Sequence, residues 1–221
     1  MLDILSQYNV LGAFWLTILL SVFSAVGALV VGTVVAILRL SPSSAMRAIG
    51  TTFVTIFINT PLTLLMVFSI LGMTYIMGVN LAPSSVTDNS FRWAVVMLSL
   101  YHAAFVCEAL RSGVNTIPAG QAEAARSIGL TFRQSLTEVI LPQAFRGAVA
   151  PLGSVAIALI KNTTVAAVIG VAEAAGLMST IIENEGSGIG IFALFAAGFV
   201  ILTLPLGVWV TEFSRRVAVK R

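Results

Sequence analysis

The sequence predicts an all-α integral membrane protein with five transmembrane helices, and three observations carry that prediction. Hydrophobic residues make up 58% of the 221 residues and charged residues only 10%, against roughly 25% charged in soluble domains. Mean hydropathy is +1.02, so the chain cannot cover a water-facing surface. Five segments, roughly 10–38, 51–77, 93–110, 149–171 and 189–209, are each apolar enough and nearly long or longer than the ~20 residues that cross a bilayer core. The positive charges then orient them. Arg39 and Arg47 fall between spans one and two, Arg111, Arg126, Arg133 and Arg146 between three and four, and Arg215, Arg216, Lys220 and Arg221 follow span five. With five spans all ten lie on one side, Arg92 alone lies on the other, and Lys161 is inside a span. The positive-inside rule puts the N-terminus outside and the C-terminus in the cytoplasm. The pI near 9.5 is thereby a topology signal, and no nucleic-acid partner is implied.

Each span has its own signature. The first is long enough to tilt or to begin at the interface, and Ala28, Gly32 and Ala36 suit close helix–helix approach. The second contains Pro61, which cannot donate to the carbonyl of Phe57 and so favours a kink or an unwound turn. Asn59 and Thr60 stand beside it. Non-helical backbone at depth requires protein or water to satisfy it, which fits a pathway lining as well as a packing kink. The third span is interrupted by His102 and Glu108. His102, with no second histidine and no acidic neighbour in register, is no metal site and is expected to pack with a ring nitrogen satisfied by a neighbouring helix. Cys107 excludes an internal disulfide and packs as a small hydrophobe. Glu108 and Arg111, three apart at the cytoplasmic boundary, form either a gate latch or a plain interfacial ion pair.

The fourth span carries the polar run Lys161, Asn162, Thr163 and Thr164. An unpaired lysine at depth costs about 2.5–3.5 kcal/mol on insertion scales, so Lys161 must face a partner or a wet cavity. A solute carboxylate and an inter-helix ion pair both meet that requirement. The fifth span contains Pro205 without polar neighbours, a simple kink. Gly186-Ser187-Gly188-Ile189-Gly190 lacks the strand and helix of a phosphate site and reads as an outer turn. Asp3, Asp88, Glu173, Glu183 and Glu185 fall on the outer side. The N-terminus lacks a basic region and an Ala-x-Ala site, so no removable signal peptide is expected. The whole chain, 1–221, reads as a single transmembrane domain.

Residues 111–147 form a cytoplasmic loop read as two short helices joined by a turn. Pro118 suits a first helical position, and 119–128 is rich in helix formers. Gly129 fits the left-handed position that ends a helix. Thr131 can cap the next, with Gln134 completing a capping box. Phe132, Leu136, Val139 and Ile140 share one face, opposite Arg133, Thr137 and Glu138. Pro142 is expected to close the second helix. Ala122, Ala125 and Ile128 line a small-residue stripe beside Glu123 and Arg126, open to close approach by another protein.

The string inside this loop is distinctive. Glu123-Ala124-Ala125, three residues, Gly129, nine residues, Val139, one residue, then Leu141-Pro142 resembles the EAA signature of bacterial ABC importer permeases, with valine where isoleucine is usual. The resemblance extends over nearly the whole chain and follows the polar amino-acid branch. Glu108-Ala109-Leu110-Arg111-Ser112-Gly113, Asn59-Thr60-Pro61-Leu62, Lys161-Asn162-Thr163-Thr164 and Val168-Ile169-Gly170-Val171-Ala172-Glu173 all resemble motifs of that branch. The wording is similar to actinobacterial glutamate-uptake permeases. Ile58 stands where many relatives carry arginine, and this puts substrate contacts on that helix in question.

The resemblance implies the type I ABC importer permease fold in a bacterial inner membrane. It implies a second permease subunit, identical or homologous, two ABC ATPase subunits seated on the EAA loop, and an external amino-acid binding protein. L-glutamate is the implied solute, with glutamine, aspartate or a basic amino acid as alternatives. Relatives carrying other amino acids share the lysine, which points away from side-chain selectivity as its role. The chain itself is expected to bind no cofactor and to catalyse nothing. It has no Gly-x4-Gly-Lys-[Ser/Thr] loop, so ATP and magnesium belong to a partner. Two other readings compete. An ion-coupled secondary transporter would also use broken helices, but predicts inverted repeats and more spans; a scaffold subunit explains the loop but not the polar run.

Overall fold

The computed structural model describes residues 7–131, 134–186 and 188–217. Among these the regular structure is helical: α1 (Val10–Leu40), α2 (Ser44–Asn59), α3 (Leu62–Ile76), α4 (Val86–Asn115), α5 (Ala119–Ser127), α6 (Ser135–Ile169), α7 (Ala174–Glu185) and α8 (Gly188–Val217). Four of them, α1, α4, α6 and α8, are individually long and apolar enough to cross a membrane. The bent pair α2–α3 supplies a fifth crossing if it counts as one span. Asp3, Phe132, Arg133, Ser187, Lys220 and Arg221, to which the sequence assigns places, lie outside the described residues.

The main packing is α1 against α4, followed by α4 against α6. Small residues bring the first pair together, as the sequence predicts. Ala28 and Ala36 are buried, and a Cβ at Gly32 would lie 2.7 Å from the Ala103 carbonyl oxygen. The central core joins Leu20 of α1, Leu62 and Met66 of α3, Trp93 and Leu98 of α4, and Ala166 of α6. Along the opposite flanks Phe23, Val30 and Ile37 of α1 and Val200, Ile201 and Leu204 of α8 stay exposed. Such apolar flanks suit lipid or a second transmembrane subunit.

The second span is sharply broken rather than gently kinked: α2 and α3 meet at 98°. Three local causes coincide there. Pro61 has no N–H to continue the ladder, and Thr60 adopts the extended backbone (φ −103°, ψ 128°) that a following proline imposes. Side chains also bond back to the last turn of α2. Asn59 Nδ2 donates to Thr55 O at 2.7 Å, and Thr60 Oγ1 donates to Ile56 O at 2.7 Å.

The expectation that Pro142 closes a short helix is overturned. Helix α6 runs unbroken from Ser135 to Ile169, and Pro142 sits in the first turn of its α-helical part. The reason is the winding before it. Residues Ser135–Ile140 are π-helical, and the Leu141 N–H reaches back five residues to Leu136 O. The wider turn relieves the clash with the preceding carbonyl that would otherwise stop the helix. The loop therefore holds one separate helix, α5, and the first turns of a long one. The helix expected to cross from residue 149 begins at Ser135.

One short helix between α6 and α8, α7, was not predicted. It is capped by Glu173, whose carboxylate accepts from Ala175 N at 3.0 Å and Gly176 N at 2.9 Å. Its apolar side meets α8 through Ala174, Ile181, Ile191 and Phe195.

Candidate functional site

Two groups of residues matter, one at the turn after α5 and one at the polar run of α6. The turn is built as its sequence suggests. Pro118 precedes α5 as its cap residue, one position earlier than expected. Gly129 has φ +88°, and its N–H donates to Arg126 O at 3.0 Å while the Leu130 N–H reaches Ala125 O at 3.2 Å. The capping box closes as well: Gln134 N donates to Thr131 Oγ1 at 3.3 Å, and Thr131 N donates to Gln134 Oε1 at 3.0 Å.

The predicted stripe divides. Ala125 is buried where α5 meets the first turns of α6, so it packs the loop together rather than facing a partner. Glu123, Ala124, Arg126 and Gly129 remain exposed, and Ile128 is 78% exposed. Of the remaining signature residues, Val139 is half-buried while Leu141 and Pro142 are exposed. Ile128 is thus an exposed apolar side chain two residues after the exposed Arg126.

The turn is anchored to the spans by backbone contact. A Cβ at Gly113 would lie 2.3 Å from the Ala144 carbonyl oxygen, and one at Gly147 would lie 3.2 Å from Gly113 Cα. Helix α4 therefore touches α6 at main-chain distance beside the loop. Glu108 and Arg111 do pair, at 3.0 Å. The same carboxylate also holds Arg39 from the end of α1. Arg39 lies 69 residues away in sequence, beyond the reach of helical-spacing arguments.

At depth the polar run coincides with a change of winding. The backbone is α-helical to Asn162 and 3₁₀ from Thr163 to Ile169, ending at Gly170 with φ +81°. Lys161 therefore lies in the last α-helical turn rather than at the middle of α6. The four side chains have separate fates. Thr163 is buried and donates to Ile160 O at 2.8 Å, and Thr164 donates to Lys161 O at 2.8 Å. Asn162 reaches across to α4, with Nδ2 3.1 Å from His102 Nε2. Lys161 is exposed, and among the described residues no carboxylate lies within ion-pair distance of it.

The segments after both predicted runs meet, since Leu62 and Met66 share a core with Ala166. Asn59 and Pro61 are exposed and Thr60 is half-buried. Among the described residues no hydrogen bond joins Asn59–Pro61 to Lys161–Thr164; Asn59 and Thr60 are tied to their own helix. A separate cleft of about 250 Å³ between α1, α6 and α8 is lined by Ala28, Val149, Leu159, Trp209 and similar groups. It offers no partner for a charged solute.

Outside the spanning helices, Glu173 is fully buried and its hydroxyl neighbour Thr17 donates to it at 3.3 Å. Burial pushes this carboxyl up from its ordinary value, outweighing the three hydrogen bonds that pull it down. No group of acidic, histidine or cysteine side chains able to hold a metal occurs among the described residues.

Comparison with known proteins places this geometry. Residues 28–219 match the model of the binding-protein-dependent transport system inner membrane component. The chain is 47% identical to the glutamate transport system permease protein GluC of Corynebacterium glutamicum, over 96% of each protein. It is 31% identical to the probable glutamine ABC transporter permease protein GlnM of Bacillus subtilis, over 97% of this chain and 94% of that one. In fold it superposes on a crystal structure of an amino acid ABC transporter with histidines, with TM-score 0.87, 23% identity and 97% coverage of both chains. A helical bundle with a broken second span, a glycine-turned EAA loop and a polar break in α6, matched along its length, identifies the chain as a member of the inner-membrane permease family of binding-protein-dependent ABC transport systems.

Proposed function

We propose that the chain is the permease subunit of an ATP-driven importer of L-glutamate, crossing the bacterial inner membrane five times with its N-terminus outside. The observation that carries the solute is the 47% identity along 96% of a glutamate transport permease. An unpaired, exposed Lys161 at the polar break of α6 is in keeping with an anionic solute. Glu123, Ala124 and Ile128, presented outward by the Gly129 turn, serve as the seat for an ABC ATPase, which holds ATP and magnesium. The exposed apolar surface on α1 and α8 leaves room for a second permease, and an external binding protein delivers the solute. A second reading, glutamine, draws support from the 31% identity to a probable glutamine permease.

Reconstitution with the neighbouring ATPase, permease and binding protein tests this. ATP-dependent uptake of labelled L-glutamate is expected, competed by glutamate more strongly than by glutamine. Replacing Lys161 with leucine should lower it severely while assembly stays normal. Unchanged uptake by the assembled K161L complex removes Lys161 from the pathway, and preferential glutamine uptake selects the second reading.

A further inference from the structure

We infer that His102 is a positioning residue that orients the Asn162 amide, so that the turn beside Lys161 offers one cation and one hydrogen-bond acceptor to an amino acid's main-chain groups. This rests on the proposed pathway role of Lys161–Thr164. The argument starts from the ring. His102 is 1% exposed, and its Nδ1 lies 2.9 Å from the Leu98 carbonyl oxygen. A carbonyl only accepts, so Nδ1 carries the hydrogen. Nε2 is then the acceptor of the neutral ring, and the group facing it at 3.1 Å is the Asn162 NH₂. The ring thus selects which end of the amide points inward.

The other end has no partner. Asn162 is half-buried, and its Oδ1 is neither hydrogen-bonded nor among the buried unsatisfied atoms. It is therefore an accessible acceptor, one residue from an exposed lysine that has no counter-ion among the described residues. Thr163 and Thr164 spend their hydroxyls on backbone carbonyls. The turn leaves one ammonium and one amide oxygen for another molecule. That pair complements an α-carboxylate and an α-ammonium, the groups shared by all amino acids. His102 touches no solute; it sets the sign of what Asn162 presents.

Direct titration of the detergent-purified permease–ATPase complex, without binding protein, tests this with L-glutamate and with glutarate, which has both carboxylates but no α-ammonium. The wild type is expected to prefer glutamate. Asn162→Ala and His102→Phe should each lower that preference about tenfold, the value of one oriented hydrogen bond to a charged group. The double variant should be no worse than Asn162→Ala alone. His102→Gln, whose amide oxygen can accept from Asn162, should restore the preference. Should His102→Phe fail to assemble, His102→Met carries the same comparison. A preference that Asn162→Ala abolishes but His102→Phe or His102→Met keeps overturns the positioning role. A wild type without preference overturns it as well. Lys161→Leu weakening neither ligand would instead sink the pathway reading on which it stands.

Discussion

Gly129 offers a graded test of the cytoplasmic turn, because its structural role is purely conformational. Its φ is +88°, and a Cβ built there meets nothing within 4 Å. Steric crowding therefore contributes nothing, and the whole penalty for a side chain is the left-handed backbone, about 1–2 kcal/mol for an L-residue such as alanine. Asparagine, which tolerates that region, should cost less. Proline is different in kind: it fixes φ near −65° and removes the N–H that donates to Arg126 O at 3.0 Å, so its cost is about 3 kcal/mol or more. Every 1.4 kcal/mol is a factor of ten in the population of the formed turn. The assay is ATP-driven uptake in proteoliposomes together with ATPase retention on the purified permease. The expected order is wild type, Asn, Ala, Pro, with Gly129→Pro abolishing uptake while the subunit remains in the membrane. Wild-type transport by the proline variant would remove the turn from coupling. Alanine as damaging as proline would show that space, not backbone conformation, governs the position.

Two further outcomes follow from packing and charge. Gly113→Ala places a Cβ 2.3 Å from a backbone oxygen of α6, which cannot rotate away; the helices must separate, at about 1–3 kcal/mol of overpacking. The melting temperature of the purified complex should fall, and an unaltered melt would mean that α4 and α6 do not touch there. Glu173 gives a pH test. Its folded carboxyl is raised, so the folded chain holds the proton more tightly than the unfolded one. The stability it contributes is present in acid and declines as pH rises through the folded value. Thermal unfolding of Glu173→Gln should lack that part of the pH slope, and identical slopes above pH 4.5 would refute the assignment.

Much of this fold was legible because membrane sequences state their constraints plainly. Apolar length located the long helices, Pro61 located the break, and Gly129 with Thr131 and Gln134 described the turn after α5. His102 was rightly expected to find a partner on a neighbouring helix, although one of its two nitrogens stays with its own. The misses share a cause. Pro142 breaks an α-helix, but the sequence carries no sign that the preceding turn is π-wound, and so the proline could be absorbed. Glu173 was not read as a cap because serine, threonine, aspartate and asparagine are the usual caps, and α7 went unseen with it. Arg39 belongs with Glu108 only once α1 and α4 lie side by side, which spacing along one helix cannot reveal.

The uninterrupted passage of α6 through Pro142 has a mechanical meaning. Ser135 beside the capping box and Lys161 at the polar break lie on one continuous helix, about 40 Å apart at 1.5 Å per residue, with Pro151 between them. Near Gly147 this helix bears on Gly113 at main-chain contact. From that bearing it is about 18 Å to Ser135 and about 21 Å to Lys161 by the same rise. Pro151, inside the arm toward Lys161, leaves the Gly147 carbonyl without its helical donor, so a push on the loop meets a point of bending at that bearing before it reaches Lys161.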